Sequence, residues 1–330
     1  MVFPKTNKEL DLIAKYFAPL SLSSKGALGL HDDAALMEVP SGYEAVVTND
    51  ILVEGIHFLA NDPPETIAWK SLAVNLSDLA SMGAKPTSYT LGFAIPSYVE
   101  HEWIKLYVSG LEEVQNNYKI ALIGGDTVST KGPITLSITA FGHVPKNTAI
   151  LRSGASAGEE IYVTGSIGGG YLGLRYLQDN LIQVDGQLSS LFVQMYRKPV
   201  PRVGLGIALR GLATSATDIS DGLIADLGNI CRESDVSANI QAWDIPVPEG
   251  VDKLIEKNCI KLQDIFSGGD DYELLFTVPP GSKSKVRDLA CIYDLNISQI
   301  GITSLGPANI SFYNKNHSII EFDSIGYSHF

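Results

Sequence analysis

Six carboxylates, Asp33, Asp50, Asp78, Asp126, Asp218 and Asp221, sit at the ends of apolar runs or among small residues. Burying an unpaired carboxylate costs several kcal/mol, so a partner of opposite charge is expected wherever one is enclosed. Asp78 is the clearest case. It is the only charged side chain between Ser71 and Ala84, and Ser71 and Asn75 share its helical face at spacings of four and three. Alone, such an Asp reads as a solvated face; the recurrence of the setting argues for a ligand role. All six acids offer hard oxygen donors with no Cys or paired His beside them, which is the chemistry of Mg2+. Mg2+ ions shared by such acids would neutralise a triphosphate and stabilise a transferring phosphoryl group. Spacing alone leaves open whether the acids meet.

Other motifs are weaker or absent. His31-Asp32-Asp33 suits a ligand-bearing loop or a solvated turn. Gly168-Gly169-Gly170-Tyr171-Leu172-Gly173 fits G-x-G-x-x-G after an apolar run, but no ribose-binding acid follows at the right place. No Walker A loop, G-x-S-x-G elbow or H-E-x-x-H helix occurs.

The acids need elements to hold them. Residues 43–53 read as a strand, with the poor strand formers Asn49 and Asp50 in its middle. Asp62, Pro63 and Pro64 open a helix over residues 63–82, and Gly83 with Pro86 closes it. Thr6-x-x-Glu9 resembles a capping box for a helix reaching Phe17. A strand at 87–95, a helix at 100–117, a strand at 119–123 that breaks at Gly124-Gly125-Asp126, and a strand at 134–144 complete an α/β (α+β) first half. A boundary near 145–150 divides the chain into domains 1–150 and 151–330. The second half offers strands at 160–164 and 214–219, helices at 171–178, 188–197, 204–212 and 221–234, then a strand from Tyr272 and a β-rich tail. Short echoes, Ser77-Asp78-Leu79 with Ser220-Asp221-Gly222 and Gly124-Gly125-Asp126 with Gly268-Gly269-Asp270, hint at related halves.

Composition narrows the class. The 330 residues suffice for two cores, and 45% hydrophobic with 18% charged residues is globular. A net charge of −13 argues against nucleic acid or an anionic membrane as partner. Cys231, Cys259 and Cys291 form no C-x-x-C pair, and neither a secretory core nor an 18-residue apolar run occurs. A cytoplasmic, soluble protein is expected.

In order along nearly the whole chain, the sequence resembles thiamine-monophosphate kinases, in the superfamily that also holds aminoimidazole ribonucleotide synthetase and selenophosphate synthetase. The motifs that carry this are Asp32-Asp33-Ala34-Ala35, residues 48–58 (TNDILVEGIHF), residues 69–84 (WKSLAVNLSDLASMGA) and Gly124-Gly125-Asp126-Thr127. They continue with Arg152-Ser153-Gly154-Ala155, Asp218-Ile219-Ser220-Asp221-Gly222-Leu223, Gly268-Gly269-Asp270-Asp271-Tyr272-Glu273-Leu274 and Gly326-Tyr327-Ser328-His329-Phe330. The resemblance implies transfer of the ATP γ-phosphoryl to thiamine monophosphate. It implies Mg2+ ions on Asp33, Thr48, Asn49, Asp50, Asp78, Asp126, Asp218 and Asp221, with Asp50, Asp78, Asp126 and Asp218 catalytic. Gly125, Asp126, Arg152 and Ser220 would touch ATP; His57, Glu273 and Tyr327 would touch the thiamine side. The implied fold has two domains, an N-terminal ATP- and Mg2+-binding half that dimerises through its strands and a C-terminal α+β half closing over the nucleotide. Asn49 replaces a usual Thr or Ser, His31 a usual Gly and Asp270 a usual Glu. Other ATP-dependent enzymes of the superfamily, or a non-catalytic nucleotide-binding relative, are the competing readings.

Overall fold

The computed structural model describes residues 8–178, 186–323 and 326–327. It divides into two compact units. One runs through Leu79 and resumes over Lys85–Lys146; the other takes Ala80–Ala84 and the chain from Asn147 onward.

The first unit is built on a sheet of four strands: β1 (Tyr43–Val53), β2 (Lys85–Pro96), β3 (Ala121–Thr130) and β4 (Thr135–Pro145). Their order is β1-β4-β2-β3, antiparallel except for the β2–β3 pair. The helix Pro64–Ser81 follows β1. Pro64 fits its first turn, Glu65 lies there too, and Gly83 at φ +67° ends it with its N–H donating to Ala80 O at 2.9 Å. Ala68, Leu72, Leu76 and Leu79 are fully buried, each Leu contributing roughly 1.5–3 kcal/mol by area. Ser71, Asn75 and Ser77 on the other faces are equally enclosed, so this helix has no solvated side to give its polar residues. Asp62 precedes it, its Oδ2 accepting the N–H of Leu59 at 2.8 Å.

The expected break at Gly124-Gly125-Asp126 does not occur. β3 runs on to Thr130 in parallel register with β2, after an irregularity at Tyr89/Thr90. Gly125 makes this approach feasible: a Cβ there would lie 2.1 Å from Leu91 O. The first helix spans only Lys8–Leu12 before a π turn over Ile13–Phe17, and the expected cap Thr6 lies outside the described residues.

The second unit carries a sheet of β5 (Glu160–Thr164), β6 (Ser215–Asp218), β7 (Ser237–Gln241), β8 (Leu274–Val278), β9 (Ile297–Ser304), β10 (Ile310–Tyr313) and β11 (Ile319–Ile320). The order is β11-β10-β7-β9-β5-β8-β6. Alternation along β5 sends Ile161 and Val163 into one core with Leu223, Leu227 and Phe266, and Tyr162 into another with Leu209, Phe276 and Val286. The helix expected over 221–234 begins at Leu223, because Gly222 at φ +115° still belongs to the preceding loop. Short helices at Val251–Glu256 and Leu262–Ser267 and the strand β7 carry no strong periodicity and were not anticipated. Among the described residues no helix is long and apolar enough to cross a membrane.

Candidate active site

β1 is an edge strand, and its alternation decides which side chains meet the helix. Thr48 Oγ1 donates to Asp78 Oδ2 at 2.5 Å. Two residues on, Asp50 lies on the same face, and its main-chain N–H donates to Asn75 Oδ1 at 3.2 Å. Asn75 Nδ2 donates in turn to Ser71 O at 3.1 Å. Burial, and after it the charge of Asp78, push Asp50 up to about 7. The expected cation beside Asp78 is thus preceded by another acid. Two carboxylates in mutual opposition, with a hydroxyl and no thiol or imidazole, form a donor set that fits a hard divalent cation. Asn49 points to the opposite face, where its Nδ2 donates to Ile138 O and Thr139 Oγ1, each at 2.9 Å. Its main-chain carbonyl shares a trans peptide with the Asp50 N–H and therefore faces β4, away from Asn75.

Asp33 and Asp126 belong elsewhere in this unit. They line a cavity of about 160 Å3 together with Gly125, walled on its apolar side by Phe17, Leu30 and Phe93. The register sets Asp126 level with Gly92, Ser137 and Ile51. Two strands separate β3 from β1, roughly 14 Å at the usual strand spacing. Within one chain, therefore, Thr48, Asp50 and Asp78 form one group and Asp33 with Asp126 another. Among the described residues no three acids, imidazoles or thiols gather as a metal cluster. His57 closes the turn after β1: its Nδ1 accepts the N–H of Val53 at 3.0 Å, and its carbonyl accepts Lys70 Nζ at 3.1 Å.

In the second unit Asp218 ends β6, and the loop after it carries Ser220 and Asp221. The N–H groups of Ser220 and Asp221 both donate to Asp226 Oδ2 at 3.0 Å, which folds the loop over the start of the helix Leu223–Ser234. Burial first, then the charge of Asp221, push Asp226 up to about 7 against the pull of those N–H groups and Arg152. Arg152 lies alongside, its Nε donating to Thr217 Oγ1 at 3.3 Å. Tyr327 comes to the same loop, its N–H donating to Asp221 O at 3.0 Å, with its side chain exposed. Ser328, His329 and Phe330 of the terminal motif lie outside the described residues.

Glu273 has a different setting from the one expected. Its carboxylate is buried and takes both Nε and Nη2 of Arg202, the former at 2.7 Å, along with Thr164 Oγ1 at 2.5 Å. The expected substrate contact is thus already held by the protein. The glycine loop is also taken: Asp271 accepts N–H groups from Gly168, at 2.8 Å to Oδ2, and from Gly170, at 3.2 Å to Oδ1. A carboxylate of the chain stands where a phosphate would in a dinucleotide site. Asn75, Arg202, Asp226 and Asp271 were absent from the expected site. Asn75 carries a signal in its place on the helical face of Ser71 and Asp78, and Asp271 in its place within the motif of residues 268–274.

The residues 31–144 match the family described as AIR synthase related protein, N-terminal domain, and 156–311 the corresponding C-terminal domain. Over 329 residues the chain is 37% identical to thiamine-monophosphate kinase of Escherichia coli K12, covering 98% of each chain. The chain belongs to the thiamine-monophosphate kinase family. The Bacillus subtilis member is 34% identical over 98% of this chain and 99% of its own. Among solved structures, the thiamine-monophosphate kinase of Stenotrophomonas maltophilia superposes with a TM-score of 0.82 at 36% identity, covering 91% of this chain and 95% of that one. A structure described as AaThiL complexed with AMPPCP and TMP superposes at 0.76 with 26% identity over the full length of both.

For this member of the thiamine-monophosphate kinase family, Asp271 gives a pH signature. Burial raises it to about 8, with Glu273 and Asp270 adding to the rise and the two glycine N–H groups opposing it. An acid raised in the folded state confers stability that is full below its unfolded value of 3.8 and is lost as pH climbs through about 8. Asp271→Asn keeps an acceptor for the glycine N–H groups without the charge. Its stability relative to the parent is expected to increase steadily from about pH 5 to about pH 8.5 in urea melts. Parallel pH profiles for the two proteins would place the proton elsewhere.

Proposed function

We infer that this chain transfers the γ-phosphoryl group of ATP to the phosphate of thiamine monophosphate, yielding thiamine diphosphate and ADP. The observation that carries the inference is similarity to kinases of that name over 98% of both chains. The AMPPCP and TMP named for a relative of the same fold, and the oxygen-only donor set on β1 and its helix, support it.

The chemistry asks little of the protein beyond positioning and charge. The acceptor is a phosphate oxygen, largely ionised at neutral pH with a second pKa near 6, so no general base is required. That oxygen attacks the γ-phosphorus, and the bond to the β,γ-bridging oxygen breaks to release ADP. Asp50, Asp78 and Thr48 would hold Mg2+ in the first unit, Asn49 standing on the opposite face of β1, with Asp33 and Asp126 as a second group; Asp218 and Asp221 would serve in the second unit. When bound, Mg2+ neutralises phosphate charge as it shifts in the transition state. Gly125, Asp126, Ser220 and the planar fork of Arg152 would take the nucleotide; His57 and Tyr327 the thiamine side. Glu273 acts by fixing Arg202 and Thr164 instead of touching substrate.

We assign the Mg2+ and ATP role to the first half, residues 1–150, and further nucleotide and substrate contacts to 151–330. The sheet face bearing Val47, Ile51 and Val128, each about half exposed, supports pairing with a second copy. Sedimentation at the dimer mass tests this, and a monomer at assay concentration would refute it. A cytoplasmic setting accords with three free thiols, and the −13 charge with no nucleic-acid partner. The activity is tested by incubation with ATP, Mg2+ and either thiamine or thiamine monophosphate, followed by product separation. Diphosphate formed from the monophosphate alone is expected; phosphorylation of free thiamine alone would overturn the assignment.

A further inference from the structure

We propose that Asn75 is a positioning residue for the Mg2+ site, setting the aim of the Asp50 carboxylate through the main-chain N–H of Asp50. β1 has a strand neighbour on one side only, so alternate N–H groups along it find no partner in the sheet. Asp50 N–H is met by Asn75 Oδ1 at 3.2 Å. Asn75 is fully buried, and its own amide is fixed to Ser71 O one turn back. One turn further along the helix, Asp78 meets Thr48 at 2.5 Å. Two cross-links, Asn75 to Asp50 and Asp78 to Thr48, thus pin alternate strand residues against one helix face. They fix the strand segment that carries Asp50 against the helix segment that carries Asp78. Asn is a poor residue for a helix interior, and Ala or Leu would suit the apolar surroundings better. The geometry gives it a use that packing does not: it fixes the backbone from which one metal-ligand carboxylate projects, as outer partners of metal ligands commonly do.

This inference rests on the metal reading of Thr48, Asp50 and Asp78, and its test separates the two. The measurement is the rise in melting temperature of the nucleotide-free protein with Mg2+ concentration, alongside hydrogen exchange at the Asp50 amide. Asn75→Ala removes both bonds. Asn75→Ser can still bond back along the helix, as Ser71 does to Ala68 O, but is too short to reach the strand. Both variants should raise the Mg2+ midpoint about tenfold, the lower end of the effect usual for outer-shell partners, and speed exchange at Asp50. Tyr107→Phe is the control: it deletes the hydroxyl paired with Ser71 Oγ at 3.2 Å, loosening the same helix without touching the acid pair. Its Mg2+ midpoint should stay with the parent whatever its melting temperature does. Midpoints within twofold of the parent in both Asn75 variants, or an equal shift in Tyr107→Phe, would overturn the role of Asn75. A parent protein whose melting temperature ignores Mg2+ would overturn the metal reading and this inference with it.

Discussion

Asp78→Asn is expected to reduce turnover by roughly 10²–10³, about 3–4 kcal/mol of lost transition-state stabilisation. The metal-free protein should be as stable as the parent or more so. The asymmetry follows from the site. Burial first, and the charge of Asp78 after it, together raise Asp50 to about 7. An amide at position 78 still offers an oxygen to Thr48 Oγ1 while removing that charge. The sign of the pH effect is fixed by the same pair. Ionising a raised acid costs the folded state, so stability is full near pH 4, falls as pH climbs and levels off above about 7. Asp78→Asn should flatten that fall, and Mg2+ should stabilise the variant less than the parent. Turnover at saturating ATP and thermal melts without metal are the two measurements. Parental turnover at limiting Mg2+ would return Asp78 to the role of an ordinary polar residue.

The largest loss of stability is expected at Glu273. Arg202 is mostly enclosed, and Glu273 meets it with both carboxylate oxygens. Glu273→Ala removes the carboxylate to which Arg202 and the Thr164 hydroxyl both donate, at a cost of about 3–5 kcal/mol in chemical unfolding. Replacing both partners with apolar residues, as in Glu273→Leu with Arg202→Met, should recover most of the loss, because both charges of the pair then leave together. The pair also tests the part given to Glu273. Should the double variant recover stability and keep its KM for thiamine monophosphate, Glu273 is a structural anchor. A KM raised tenfold or more in a stable double variant would restore the expected substrate contact.

Local signals wrote much of the first unit into the sequence. The helix Pro64–Ser81 was readable from prolines at one end, glycine at the other and a stripe of Ala and Leu between them. β1 and β4 were readable from alternation and β-branched content. Paired glycines normally end a strand, whereas in β3 the missing side chain of Gly125 lets the strand lie against β2. Partners far apart in the chain hid the rest. Asp271 and Gly168 are 103 positions apart and Glu273 and Thr164 are 109, so nothing local marks either as a pair. Asp226 lies close to Ser220 and Asp221, but an acid in the first turn of a helix is common enough to single out no role. The acids themselves were found by their surroundings. Their separation into one group on β1 and its helix, a second beside β3 and a third after β6 depends on strand order, which residue spacing does not encode.

The most direct test follows the phosphorus atom. ATP labelled at the γ-phosphoryl group is incubated with the protein, Mg2+ and thiamine monophosphate, and the products are separated. The account predicts label in the terminal phosphate of thiamine diphosphate, in step with ADP release and abolished by EDTA. Label released as inorganic phosphate while thiamine monophosphate remains unchanged would contradict it.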